Sequence, residues 1–251
     1  MPKTPTTNPG TNRTGLQASP MDAKDLEQIA GKGPSPDCEG LELNTLRGRY
    51  AKEMNTIGSV PPPGSMKGMA TTGMEMLKGH KPTVFIDKLG ERLAFERTGV
   101  RMYEALLIKH DALGSWDGGP TRQDLVELHN DELEHFNLVK ETMKRLGADP
   151  TSMTPSADMT AVEAMGPAKV ITDLRTTMPQ ALHAILVLED TDVEGWKLLI
   201  ELADSIGQNS LAERFREAEQ VEERHQQKVR QWLSSAVLAD AQNELGTQGR
   251  A

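Results

Sequence analysis

Ionisable residues recur in four segments of this chain at positions where a helix would place apolar side chains. Residues three and four apart lie on one face of a helix, because the helix repeats every 3.6 residues. In the last segment this face carries Glu222 and His225 in step with Phe215 and Val229. In the other three segments ionisable residues likewise occupy positions expected to be apolar: Glu96, Glu132 with His135, and Glu189 with Asp192. The spacing predicts that all of these side chains point into a core.

Several carboxylates buried together are costly unless positive charge compensates them. A Glu-x-x-His pair puts a carboxylate oxygen and an imidazole nitrogen about one helical turn apart on the same face, so both can bind one ion. Two such pairs and two single glutamates are enough for two divalent cations with shared carboxylates. Oxygen and nitrogen ligands of this kind suit iron or manganese. We therefore predict a dimetal site whose ligands are Glu96, Glu132, His135, Glu189, Glu222 and His225.

The two halves of this region resemble each other. The two Glu-x-x-His pairs are separated by ninety residues, and the segment Glu96-x-Thr98-x-Val100-x-x-Tyr103 aligns with Glu189-x-Thr191-x-Val193-x-x-Trp196. Two similar hairpins that face each other would make a pseudo-symmetric site.

The elements that must position these residues are four long helices. The first begins near Thr83; the second begins at the N-cap Thr121 and ends at Gly147; the last follows a turn at Gly207. Short turns within each pair predict antiparallel neighbours, and the stretch from 148 to 178 can cross the length of the bundle with at most one short helix, around Thr160 to Met165. No convincing strand pattern is present. The predicted fold is all-α, a four-helix bundle with one long crossover.

The remaining segments are predicted to lie outside this bundle. Residues 1–40 are rich in Thr, Pro, Asn and Gly and are predicted to be a disordered tail. Residues 41–82 form an N-terminal arm with short helices near 40–54 and 65–78. The bundle covers 83–238, and 239–251 form a C-terminal tail. The methionines of the arm, with His80, favour a soft packing face over a copper site.

Composition excludes several classes of function. The net charge of −9 leaves no basic stripe for nucleic acid. Neither an apolar stretch of membrane-spanning length nor a secretory signal pattern is present, so we expect a soluble cytoplasmic protein. Cys38 is the single cysteine and lies in a loop-like stretch, which excludes an intrachain disulfide or a thiolate cluster.

The stretch Phe95-Glu-Arg-Thr-Gly-Val-Arg-Met-Tyr103 is similar to the first helix of rubrerythrins and ferritins. Residues 84–236 resemble the ferritin-like superfamily, whose di-iron and di-manganese members carry this ligand pattern. The resemblance implies that Glu96 and Glu189 are terminal ligands. It also implies that Glu132 and Glu222 bridge two metal ions and that His135 and His225 each cap one ion.

The same resemblance implies further roles at the site. Asp192 stands where rubrerythrins carry an additional Glu, which suggests a peroxidase-like site with a swinging ligand. Tyr103 fits both a core aromatic and a phenol that bonds a ligand on the opposite hairpin, so Tyr103 and Asp192 are the catalytic candidates. Trp196, the counterpart of Tyr103, cannot act as a phenol. His129, His110 and His183 are expected to lie outside the ligand set.

The implied function is a di-iron oxidase or peroxidase, with ferroxidase activity included, that reacts with O2 or hydrogen peroxide under oxidative or metal stress. The paired cysteines of a rubredoxin-like domain are missing, so the reductant would be a separate electron-donor protein. The N-terminal arm has no counterpart in simple ferritins and favours a homodimer over a storage shell. Alternatives are a di-manganese catalase-like enzyme, an iron-binding or storage module without turnover, and a structural bundle.

Overall fold

The computed structural model describes residues 20–31, 36–61 and 82–248. All regular elements in these ranges are helices, which confirms the predicted all-α class. Residues 20–31 and 36–57 belong to one compact unit, and the later described residues belong to another. None of the helices in the described ranges has both the length and the apolar character of a membrane span.

The first unit contains α1, Pro20–Ala30, and α2, Pro36–Glu53. These helices differ from the tail predicted over residues 1–40, and they place Cys38 in a helix and not in a loop. Strong helix formers such as Lys24, Leu26 and Glu27 favour α1, and Asp22 in its first turn complements the helix dipole. Residues 1–19 and the helix predicted near 65–78 lie outside the described residues.

The second unit is built on four long helices: α3, Pro82–Leu113; α4, Arg122–Arg145; α7, Met178–Ser205; and α8, Asn209–Gln248. Thr121 caps α4 in a capping box with Asp124, and Thr177 caps α7 in the same way. Gly147 and Gly207 follow α4 and α7 with φ of 80° and 73°, a left-handed conformation that glycine adopts without strain. The predicted Thr121 cap and Gly147 stop are therefore confirmed.

Helix α8 is longer than the sequence pattern indicated. A tail was predicted from residue 239, yet the helix continues to Gln248. Ala236 is the last buried residue among the α8 side chains that the structure describes. The residues beyond it include strong helix formers such as Ala and Gln, which favour continuation of the helical backbone.

The connection between α4 and α7 contains two short helices where at most one was predicted. These are α5, Pro155–Glu163, and α6, Met165–Thr172. Thr154 caps α5 through the backbone N–H of Ala157. Pro167 does not prevent the second helix, because it lies in the first turn of α6, where the missing N–H would have no intrahelical partner. Helix α5 packs on α3, and α6 packs on α7.

Two clusters of apolar side chains fill the second unit and reveal how the long helices run. One cluster combines the start of α3 with the end of α4, the end of α7 and the start of α8. The other combines the opposite ends of the same helices. Helix α3 is therefore antiparallel to α4, and α7 is antiparallel to α8. Helices α4 and α7 run in the same direction, because the connection from 146 to 177 crosses from one end of the four helices to the other. The metal-ligand candidates lie between the two clusters on every helix.

Candidate metal centre

A polar layer separates the two apolar clusters. Each of the four long helices contributes acidic or imidazole side chains to it, and all of these residues are buried: Glu96, Glu132, His135, Glu189, Asp192, Glu222 and His225. The apolar residues before and after them on each helix hold these polar side chains inside. The apolar spacing in the sequence predicts the same positions to lie in the core.

The ligand atoms of this layer fall into three overlapping groups in which all atoms lie within 4.8 Å of one another. One group is Glu132, Glu189, Glu222 and His225; the second is Glu96, His135 and Glu222; the third is Glu96, Glu132, Asp192 and Glu222. Glu222 belongs to all three. The buried acidic and imidazole groups could therefore hold metal ions at more than one position.

The position defined by Glu189 and His225 has its imidazole turned toward the carboxylates. His225 Nδ1 lies 3.0 Å from Glu222 Oε2, 3.8 Å from Glu189 Oε2 and 3.9 Å from Glu132 Oε1. On its other side, Nε2 lies 3.0 Å from Asp131 Oδ2. If Nε2 carries the proton and donates to Asp131, the Nδ1 lone pair is free for a metal ion.

The position defined by Glu96 and His135 is similar in outline. His135 Nδ1 lies 2.5 Å from Glu222 Oε1 and 3.9 Å from Glu96 Oε2. The edge of Trp196 packs against the imidazole, with ring centroids 5.5 Å apart. Asp192 approaches the same position from α7, as the third group shows.

Tyr103 connects the two hairpins. Its buried hydroxyl donates a hydrogen bond to Glu189 Oε1, from α3 to α7. The corresponding Trp196 Nε1 has no hydrogen-bond partner among the described residues. The phenol thus contacts a candidate ligand of the opposite hairpin, as one of the two sequence interpretations expected.

Arg92 is a member of this layer that the sequence analysis missed. Its side chain is 4% exposed, and it pairs with Glu96 at 2.9 Å through Nε and with Asp192 Oδ1 at 3.1 Å through Nη1. It lies one turn before Glu96, so its position on the same helix face as the ligands indicates that it could be buried. An arginine in a helix with many charged residues is ordinarily solvated, and only the contact with α7 distinguishes Arg92 from the others.

Gly99 and Asp131 were also missed. A Cβ at residue 99 would overlap the carboxylate of Glu132, so only glycine leaves room for that ligand between α3 and α4. Asp131 is adjacent to Glu132 and points off the core stripe, toward His225. A glycine on the helix face that carries the ligands can be recognised in the sequence, whereas the contact of Asp131 with another helix cannot.

The pKa values of the layer reflect its burial. Burial raises the pKa of Glu96, Glu132 and Asp192 well above their ordinary values, and repulsion from neighbouring carboxylates adds to this. Burial likewise raises the pKa of Glu189 to about 8. Burial would raise the pKa of Glu222 too, but His135 and His225 lower it below its usual range. Burial would lower the pKa of His225, yet Asp131 and Glu222 raise it to about 10.

The donor set fits divalent metal ions. The layer holds five carboxylates and one permanent cation, Arg92, together with two imidazoles that are neutral when they ligate a metal. Full ionisation leaves four negative charges, which two divalent cations would balance. The buried Oε2 atoms of Glu96, Glu132 and Glu189 accept no hydrogen bond from any described residue. Such oxygens are costly to bury unless a cation meets them.

Three other histidines in the described part of the chain lie outside the layer. His183 is exposed. His129 lies 3.7 Å from Glu104, and the ring Nε2 of His110 lies 3.3 Å from the carbonyl oxygen of Pro120. None of them shares a group with the candidate ligands in the described part of the chain.

Comparison of this chain with protein-family models, with curated proteins and with solved structures finds no match. Fold and site together define an all-helical protein with a buried cluster of Glu, Asp and His that could bind metal.

Proposed function

We propose that this chain is a ferritin-like di-iron carboxylate protein whose centre reacts with O2 or hydrogen peroxide. The observation that carries the proposal is the convergence of five buried carboxylates and two buried imidazoles from four helices, in three overlapping groups within each of which the ligand atoms lie within 4.8 Å of one another. The alternation of apolar cluster, polar layer and apolar cluster also supports a ferritin-like bundle with one crossover. The order of the helix ends agrees with that topology.

In this proposal Glu189 and His225 hold one iron ion, Glu96 and His135 hold the other, and Glu132 and Glu222 contribute to both. A pair of ferrous ions held there would supply the two electrons that, with two protons from solvent, reduce one hydrogen peroxide to two waters, and an external electron donor would return the two electrons. The chain itself excludes bulk water through its two apolar clusters and orients Glu189 through Tyr103. Asp131 fixes the tautomer of His225, which leaves Nδ1 toward the centre.

A small cavity lies beside Arg92. It has a volume of about 40 Å³, lies between α3, α5 and α7, and is lined by Arg92, Phe95, Thr160 and Gly195, among others. This volume holds a few water-sized molecules, and dioxygen and hydrogen peroxide are of that size.

The first experiment measures metal content and turnover together. Protein stripped with a chelator is loaded with ferrous iron without oxygen, and bound iron is counted by elemental analysis. Oxygen or hydrogen peroxide is then added, and its consumption is followed. We expect two iron ions per chain and rapid oxidation of both. If two ions bind but are oxidised no faster than free ferrous ion, the result would favour a storage function. Peroxide decay that depends on manganese would favour the catalase-like alternative.

A pair of variants on α8 provides the control. Glu222→Gln removes the carboxylate common to all three ligand groups and should abolish stoichiometric binding at both positions. Glu217→Gln changes an exposed glutamate of the same helix and should leave binding intact. If both variants bind iron like the parent protein, or if the parent binds none, the layer is structural and the proposal is wrong.

A further inference from the structure

Arg92 provides a permanent charge within the candidate centre. Its guanidinium lies between Glu96 on its own helix, at 2.9 Å, and Asp192 Oδ1 on α7, at 3.1 Å. It also donates to the backbone carbonyl of Asp192 at 3.1 Å. The rings of Phe95 and Trp196 lie beside it, with centroids 4.4 and 5.4 Å from the guanidinium carbon.

The position of this guanidinium is fixed by packing. A Cβ at residue 195 would overlap Arg92 Nη1, so Gly195 leaves the space that the group occupies on α7. The contact with the backbone of Asp192 and the two aromatic rings hold it independently of any metal ion. Arg92 therefore remains next to Glu96 when a cation enters the layer.

The opposite half of the centre has no such cation in the described structure. Glu189 accepts a hydrogen bond from the neutral phenol of Tyr103, and His225 is held by the carboxylate of Asp131. A guanidinium attracts a carboxylate more strongly than a phenol does, and it also repels a metal ion. Asp131 has the opposite effect, because its negative charge makes His225 a stronger ligand.

We infer that Arg92 is a positioning residue that makes the two metal positions unequal, so the ion at Glu96 and His135 binds more weakly than the ion at Glu189 and His225. This inference rests on the proposed metal centre. The expected difference is at least about tenfold in dissociation constant, equivalent to ~1.4 kcal/mol. The weaker position would be the one that exchanges its ion, and it is the one beside the cavity that Arg92 lines.

Titration of the chelator-stripped, full-length protein with Mn²⁺ tests this without any turnover. Electron paramagnetic resonance distinguishes isolated bound Mn²⁺ from coupled pairs. With unequal positions, one equivalent gives mainly the isolated-ion spectrum, and the second equivalent converts it to the spectrum of a coupled pair. Equal affinities at both positions would overturn the inference while leaving the metal centre intact. Absence of bound Mn²⁺ would overturn the centre itself, and the inference with it.

Variants locate the two affinities and identify their cause. Glu96→Gln should weaken only the second ion, and Glu189→Gln should weaken the first. Arg92→Gln should bring the two dissociation constants together, whereas Arg92→Lys, which keeps the charge, should retain the inequality. Arg97→Gln changes an exposed arginine of the same helix and should alter neither. If Arg92→Gln does not fold, the parent protein, Arg92→Lys and the two glutamate variants still show whether the two positions differ in affinity. Loss of the first ion from Glu96→Gln would refute the assignment of the weaker position to Glu96 and His135.

Discussion

The hydroxyl of Tyr103 on α3 donates a hydrogen bond to the carboxylate of Glu189 on α7. Both side chains are buried: Glu189 lies in the polar layer, and Tyr103 belongs to one of the two apolar clusters that border it. The bond therefore joins the two hairpins at a candidate ligand, and it lowers the pKa of Glu189, against the larger effect of burial that raises it. Loss of the hydroxyl should be visible in metal binding.

Tyr103→Phe keeps the aromatic ring in the core and removes only the donor. The pKa of Glu189 should rise further, so more of this carboxyl group is protonated at neutral pH and competes with the metal ion. We expect the pH midpoint of Mn²⁺ binding to move upward and the unfolding free energy of the loaded protein to fall by ~1 kcal/mol. Tyr50→Phe, at a tyrosine that is 46% exposed, is the control. An unchanged pH midpoint for Tyr103→Phe would contradict the role assigned to the hydroxyl.

Asp131→Asn should weaken metal binding without removing a ligand. Its carboxylate lies 3.0 Å from His225 Nε2 and makes that imidazole a better ligand. Loss of such a partner typically costs 10- to 100-fold in metal affinity, and we expect about tenfold, because the Asp131 side chain is 43% exposed. Competition with a chelator of known affinity measures the change. Glu134→Gln, at an exposed position of the same helix, should show no change, and an equal loss in both variants would point to a general charge effect.

Gly99→Ala tests the close approach of Glu132 to α3. A Cβ at this position overlaps the Glu132 carboxylate, which must move away from the other ligands. We expect loss of tight metal binding and a cost of about 1–3 kcal/mol in unfolding free energy. The control is Gly166→Ala, because a Cβ there meets no atom within 4 Å and removal of a helical glycine should stabilise by about 0.5–1 kcal/mol. Urea unfolding and Mn²⁺ titration report both effects, and full metal binding by Gly99→Ala would show that Glu132 is not required where the structure places it.

The metal-free protein should lose stability as the pH rises from 7 to 9. The folded-state pKa of Glu189 is raised to about 8 and that of His225 to about 10, both above the values for an unfolded chain. A group whose pKa is raised by folding contributes stability that is present at low pH and is lost as the pH passes through the folded pKa. Glu222 has a lowered pKa and is ionised in both states over this range, so it does not contribute.

We expect a decrease of at least ~1 kcal/mol in unfolding free energy between pH 7 and pH 9 in the presence of chelator. Bound Mn²⁺ replaces the protons, so the loaded protein should not lose stability over the same range. Urea unfolding at several pH values, with and without the metal, measures the difference. A metal-free protein that becomes more stable toward pH 9 would contradict the raised pKa values.

The positions of the long helices could be predicted because each carries a local signal. Apolar spacing, the Thr121 cap and the glycines at 147 and 207 all lie within a few residues of the feature that they determine. The short helices in the connection between α4 and α7 were harder to predict. Proline interrupts a helix at most positions, but Pro167 is tolerated because it lies in the first turn of α6. The length of α8 was underestimated because the apolar stripe, which ends at Ala236, was taken as the end of the helix.

The candidate site could be predicted only where the spacing of residues within one helix indicates which side chains are buried. Seven acidic and imidazole residues were assigned to the core from their register, and all seven are buried. Arg92 and Asp131 were missed because their partners, Asp192 and His225, belong to other helices. No pattern within one segment shows which side chain of a neighbouring helix a charged group will meet.

The glycine at residue 99 also limits how alike the two hairpins can be. In the internal alignment its counterpart is Asp192, whose side chain has a partner in Arg92. A hypothetical protein made from two copies of the second hairpin would put a side chain where the carboxylate of Glu132 lies. One made from two copies of the first would lack Asp192 and leave the arginine without its cross-helix anion. The two halves are therefore complementary and not interchangeable.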